Sequence, residues 1–247
     1  MMTKSTPDTK AGKREKHETL AQKKARAQQL LAVLKDTFPD AACTLEFRED
    51  WQLLFSAILA AQCTDARVNL VTEKMYCEWP ELSDYAEHSR EEIETRIRSC
   101  GLYRNKAKNI QAAARMLLQD FAGKVPQSME DLLKLPGVGR KIANLMRGDA
   151  FGLPGIVVDT HCMRITRLMG LSSGSTPLKI ERDLEKLLPE ESWAAWGHLL
   201  VTLGRTICKA RCRSCAVCPL QSICTYGRSV EKNIMALSKE EKALACL

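Results

Sequence analysis

Apolar side chains recur along most of this chain at the three- and four-residue spacing of helix faces, and no run alternates apolar with polar residues as a half-buried strand would. From Leu20 onward the pattern reads as consecutive helices with short connections. Leu30, Leu31 and Leu34 form one stripe that ends before Pro39. Residues 51–61 are apolar on nearly every side, as in a helix central to a core. Thr64 or Asp65 is placed to cap the next helix, which runs toward Tyr76. Another, over 89–100, stops at Gly101, a residue type that ends helices because it enters the left-handed region without a Cβ clash. Further helices are predicted over 105–121, 129–133, 140–150, 160–169, 178–187 and 193–208. The expectation is an all-α protein, with FGLP at 151–154 breaking it into two halves.

Composition narrows the class. With 45% hydrophobic residues in 247, the chain can build a real core, which sets full disorder aside. Residues 1–19 are the exception: they contain no aromatic or β-branched apolar residue and read as a disordered basic tail. That tail is either a solvated extension or a DNA-tethering arm, and Asp8, Glu15 and Glu18 dilute its charge. A formal charge of +7 suits a polyanionic partner, though a merely soluble basic surface gives the same balance. No stretch approaches the roughly 20 apolar residues of a membrane span, and the polar start is not a secretory signal. The expected location is a reducing cytoplasm, where eleven cysteines imply a metal site and buried thiols rather than disulfides.

Two segments carry chemistry. In LPGVGRK, Gly137 and Gly139 leave the backbone free to turn tightly and to approach a large anionic partner. Ile142, Leu145, Met146 and Ala150 fall at helical spacing behind the turn, so a helix beginning near Arg140 presents free N–H groups to phosphate. Eighteen residues after Lys141 comes Asp159, after three apolar residues and before a helix, a good N-cap position. The second segment, CKARCRSCAVCPLQSIC at 208–224, holds five cysteines. Structural zinc is usually held by two separated cysteine or histidine pairs, whereas thiolates crowded into one loop suit an iron–sulfur cube in which each iron takes one protein sulfur. Lys209, Arg211 and Arg213 interleave with them, either as solvated charges or as phosphate contacts.

Both segments, in this order, resemble the endonuclease III superfamily of helix-hairpin-helix DNA glycosylases, over roughly Leu20 to Gly227. LPGVGRK is similar to the helix-hairpin-helix turn and VDTH to the segment with the catalytic aspartate. The C-x6-C-x2-C-x5-C spacing of Cys208, Cys215, Cys218 and Cys224 resembles the loop that holds a [4Fe–4S] cluster, leaving Cys212 as a non-ligand. The resemblance implies two helical domains flanking a DNA-binding cleft. One is a six-helix barrel over 43–153 that carries the hairpin, the other joins 20–42 to 154–227 and holds the cluster, and 228–247 is a C-terminal extension.

The resemblance also implies roles. Lys141 and Asp159 are the expected catalytic residues; Gly137, Val138, Gly139 and Arg140 are expected to meet the DNA backbone. A lysine amine that displaces a damaged base from C1′ must lose its proton, and a free lysine titrates at about 10.4. At a helix N-terminus, beside Arg140 and partly desolvated, the ammonium of Lys141 is disfavoured by dipole, charge and burial together. The resulting Schiff base eases β-elimination, so lysine here implies a strand-nicking lyase as well as a glycosylase; the related adenine glycosylases lack that lysine. Asp159 either stabilises charge on the sugar or moves protons, while His161 reads as structural or as a minor DNA contact.

Taking a base out of the duplex costs a few kcal/mol and leaves a hole. The resemblance assigns Gln62 and Leu102 to fill it, with Tyr103 and Asp65 in support. Ala60 stands where relatives commonly carry serine, and Ile142 where threonine is usual, which bears on damage preference more than on reaction type. The implied activity is that of a bifunctional DNA glycosylase and abasic-site lyase for oxidised pyrimidines, working as a monomer on duplex DNA containing damaged bases or abasic sites, in a bacterial-type cytoplasm at the nucleoid and not at a membrane. Two other readings compete: a glycosylase for mismatched or alkylated bases, and a non-catalytic iron–sulfur redox sensor that binds DNA.

Overall fold

The computed structural model describes residues 18–236, so nearly all of the expected basic tail and the end of the C-terminal extension lie outside the described residues. Twelve α-helices follow one another: α1 (Leu20–Thr37), α2 (Asp50–Leu59), α3 (Asp65–Glu78), α4 (Leu82–Glu87), α5 (Arg90–Ile97), α6 (Tyr103–Asp120), α7 (Met129–Leu132), α8 (Arg140–Leu145), α9 (Thr160–Leu168), α10 (Pro177–Glu185), α11 (Trp193–Thr206) and α12 (Thr225–Ala236). Among the described residues the only β pairing is an isolated bridge between Cys208 and Arg213. No helix there is long and apolar enough to cross a membrane.

Local chemistry explains most boundaries. Thr64 caps α3 by accepting from the Arg67 amide at 3.3 Å, and Ser89 caps α5 by accepting from that of Glu92. After α5 a short 3₁₀ turn, Arg98–Cys100, ends at Gly101 with φ +67°. The helix expected over 140–150 is instead α8 followed by a π turn, Met146–Ala150. Gly148 in that turn lies so close to α11 that a Cβ there would sit 2.6 Å from the Ala194 Cβ. The π turn therefore lies against α11, where sequence periodicity alone predicts a continuous helix.

Two cores result. The first runs from Leu45 to Met146 and is built by α2 to α8. At its centre Trp51, Phe55, Tyr76, Trp79 and Tyr85 pack with ring centroids 5.2–6.4 Å apart, mostly edge to face, as aromatic quadrupoles favour. The second joins Ala27–Leu34 of α1 to residues 156–220 around Trp196. Arg26 ties α1 into it by donating from Nη1 to the Met169 carbonyl at 2.6 Å. Polar links cross from one core to the other. Arg140 pairs with Glu181 through Nε and Nη2, both at 2.8 Å. Asn144 Nδ2 donates to Ile156 O and to Glu181 Oε1.

Candidate active site and nucleic-acid interface

Between the cores lies a cleft of about 400 Å³ whose lining includes Gln62, Asp65, Gly139, Lys141, Asp159, His198 and Arg205. It brings Lys141 and Asp159, eighteen residues apart in sequence and attached to different cores, to one space. Asp159 is half-buried and caps α9: its Oδ1 accepts from the Cys162 amide at 2.7 Å, which fixes the carboxylate while Oδ2 has no partner among the described residues. Lys141 is exposed, and its ammonium has no hydrogen-bond or ion-pair partner among those residues. The desolvation expected for it is therefore not supplied by the protein itself. Nor does Arg140 press on it with an uncompensated charge, because Glu181, whose side chain is 5% exposed, takes up the guanidinium.

The hairpin turn separates its two glycines. Gly137 has φ +82°, and a Cβ there would come within 2.9 Å of Asn109, so both conformation and space demand glycine. Gly139 does not use the left-handed region: its φ is −97° as N-cap of α8, and a Cβ would meet nothing within 4 Å. What Gly139 keeps open is space in front of the helix. Val138 points its side chain into the first core, so only its backbone is available to a partner.

Gln62 and Leu102 share a feature that their sequence context hides. Both are non-glycine residues with positive φ, +55° and +48°, and both are exposed, Leu102 by 56%. A left-handed leucine costs about 1–2 kcal/mol, and an exposed apolar tip recovers little of that by burial. Gln62 lines the cleft, whereas Leu102 stands outside its lining as N-cap of α6. Tyr103, next to it, packs against the first core with Arg98 and Arg104 near its ring. Beneath, Lys106 is buried and donates to Leu59 O and Cys100 O, both at 2.8 Å, tying the ends of the two segments that carry Gln62 and Leu102. Burial pushes this lysine below its ordinary range.

Asp65 joins the cores across the cleft, accepting from Thr44 Oγ1 at 2.6 Å and from Arg205 Nη2 at 3.3 Å. Thr44, Arg205, Glu181, Asp149 and His198 are residues that the sequence did not single out. Their partners lie so far away in sequence that no spacing rule finds them. His161 packs beside Gly204, and its buried Nδ1 has no hydrogen-bond partner among the described residues.

Cys208, Cys215, Cys218 and Cys224 line one small pocket with Ile165, Leu203, Leu220 and Arg213, and Cys212 is exposed outside it. No three histidine, cysteine, aspartate or glutamate side chains among the described residues group as they would around a single metal ion. Burial, then the neighbouring thiols, push Cys215 above the ordinary thiol range; burial does the same for Cys218 and Cys224. Of the basic residues on this loop Lys209 and Arg211 are exposed. Arg213 turns inward, with its guanidinium 5.2 Å from the Tyr226 ring and its Nε buried.

Residues 55–190 match the family described as HhH-GPD superfamily base excision DNA repair protein. Over 211 residues the chain is 46% identical to an endonuclease III of Synechocystis sp., covering 85% of this chain and 96% of that one. A solved non-covalent endonuclease III–DNA complex has a TM-score of 0.79 at 41% identity and covers 85% of this chain and 98% of its own. A trapped endonuclease III–DNA covalent intermediate matches with the same TM-score and identity, over 84% of this chain and 98% of its own.

Proposed function

Because the chain belongs to the HhH-GPD superfamily of base excision DNA repair proteins, we propose that it is a DNA glycosylase and abasic-site lyase that removes oxidised pyrimidines from duplex DNA. One observation carries the mechanism: a lysine without a partner among the described residues and a rigidly capped aspartate, held by different cores, line one cleft. Lys141 Nζ attacks C1′ as the bond from C1′ to the base nitrogen breaks, and the base leaves with a proton. The proton that the departing base takes is one of the amine's two; the C1′–O4′ bond then breaks, O4′ takes a proton from solvent, and a protonated Schiff base remains. Loss of a proton from C2′ then expels the 3′ phosphate by β-elimination. Asp159 faces the positive charge that develops on the sugar, and its cap bond holds it there through the reaction. Water is displaced from Lys141 by the DNA backbone as it closes over the cleft, which supplies the desolvation that the protein alone does not.

Gly137 to Arg140 present the hairpin backbone to phosphate, and Gln62 and Leu102 enter the space left by the extruded base. Their left-handed backbones hold the two tips in place before DNA arrives. Cys208, Cys215, Cys218 and Cys224 would hold a [4Fe–4S] cluster, for which four half-buried thiols lining a common pocket are a suitable donor set. Bound there, the cluster supplies iron–thiolate bonds that staple the loop bearing Lys209 and Arg211. Iron analysis of anaerobically purified protein is expected to find about four irons per chain, and iron-free protein with zinc in its place would refute this assignment. The protein acts as a monomer in the cytoplasm, for which light scattering at working concentration is the check.

Borohydride reduction in the presence of an abasic duplex tests the reaction. A covalent protein–DNA adduct is expected from the natural chain and none from Lys141→Ala. An unreactive natural chain would remove the lyase, and duplexes bearing single lesions rank the damaged bases.

A further inference from the structure

One polar pair at the cleft has no part in the chemistry above. His198 on α11 and Asp149 in the π turn meet between the two cores, with Nε2 2.8 Å from Oδ1 and side chains 17% and 14% exposed. The second carboxylate oxygen of Asp149 is buried and unpartnered, so His198 is its one hydrogen-bond partner among the described residues. A carboxylate only accepts; the shared proton therefore sits on Nε2, and in the neutral ring Nδ1 is left as an acceptor. Nδ1 has no partner among the described residues and is not a buried atom, and His198 lines the same cleft as Lys141 and Asp159.

The other polar side chains around that space are engaged or lie at its mouth. Thr44 donates to Asp65, Arg205 pairs with Asp65, and the Thr202 hydroxyl donates to the His198 carbonyl at 3.0 Å. Gln62 is exposed, and Lys141 and Asp159 serve the sugar. Much of the remaining lining is apolar: Cys43, Leu45, Ala57, Ala60, Leu145 and Val201. An apolar slot with one convergent, oriented acceptor is built to read a flat ring that offers an N–H.

We infer that His198 reads the extruded base: Nδ1 accepts a hydrogen bond from the N3–H of a thymine- or uracil-derived lesion. Asp149 is its positioning residue and fixes the tautomer. This rests on the glycosylase reading and deepens it, because it names which pyrimidines fit. Cytosine-derived bases carry a lone pair at N3, which opposes the Nδ1 lone pair, so they are the disfavoured class.

The test compares three duplexes under single-turnover conditions: one with 5-hydroxyuracil, one with 5-hydroxycytosine, and one with a preformed abasic site that has no base to read. For His198→Ala, excision of 5-hydroxyuracil should fall about tenfold further than abasic-site nicking, the scale of one hydrogen bond to substrate. Its preference over 5-hydroxycytosine should vanish. His198→Gln, which restores an acceptor oxygen, should recover part of both. Asp149→Asn, whose amide can donate to the ring and reverse the tautomer, should lose the preference. Equal loss on all three duplexes in every variant would mean a structural role and overturn the inference, as would an unchanged preference. A natural chain inert on the abasic duplex would instead overturn the lyase reading, and this one with it.

Discussion

The two cores that face each other across the cleft are built differently and contribute differently. The first is contiguous in sequence, centred on five aromatic rings, and carries exposed side chains, Gln62 and Lys141 in the cleft and Leu102 outside its lining. The second is mainly aliphatic around Trp196, assembled from α1 and the second half of the chain, and its contributions are tied down, Asp159 by its cap bond and His198 by Asp149. A nucleophile must reach its target and a charge-stabilising carboxylate must not move, so the division suits the proposed chemistry. Neither core owns the site. Links such as Arg140 to Glu181 cross between them beside the cleft.

That contrast can be broken at single residues. The largest effect on stability is expected at Arg140, whose loss leaves Glu181 buried without its cation. Arg140→Ala should lower the unfolding free energy by about 3 kcal/mol, measured by urea titration. Lys141→Ala, one residue on, should stay within about 0.5 kcal/mol of the natural chain; an equal loss at both positions would erase the distinction between them. Asp159→Asn keeps a good N-cap and removes the charge, so excision should slow by about 10²–10³-fold with little change in melting temperature. If melting temperature fell in step with the rate, the cap would be the whole role of Asp159. Gly137→Ala should destabilise by about 1–3 kcal/mol, because a left-handed backbone and the contact with Asn109 both resist a Cβ. The last effect has the opposite sign. Leu102→Gly should raise stability by about 1 kcal/mol by relieving the left-handed leucine, while base excision slows; a destabilised variant would show that Leu102 is held by packing instead.

What was legible in the sequence follows the range of the forces involved. Helix faces and caps depend on neighbours within one turn, so α1, α2, α3, α5 and α9 lie close to their expected places and Thr64 is a cap. Length is not the whole reason a helix is legible, since the sequence pattern reveals the four-residue α7 but not the six-residue α4. The helical stretch Thr225–Ala236, which takes in the first part of the expected C-terminal extension, was also not predicted. The π turn packs against Ala194, a contact that no local pattern encodes. For the same reason Lys141 and Asp159 could be named from motif resemblance, but the partner of Arg140, 41 residues distant, and that of His198, 49 residues distant, could not. The left-handed Gln62 and Leu102 contradict local preference outright; only a surrounding fold that over-determines them keeps them there.

The interleaved second core also sets a timetable for the nascent chain. Helix α1 is made first, yet the residues it packs against begin at Ile156, more than a hundred residues later. At a synthesis rate of about 5–20 residues per second, α1 waits several seconds while the first core has all of its own sequence in hand. We expect ribosome-stalled chains ending near residue 190 to resist protease across the first core and to be cut within α1. Protection of α1 at that length would show that it finds a temporary partner before its permanent one is made.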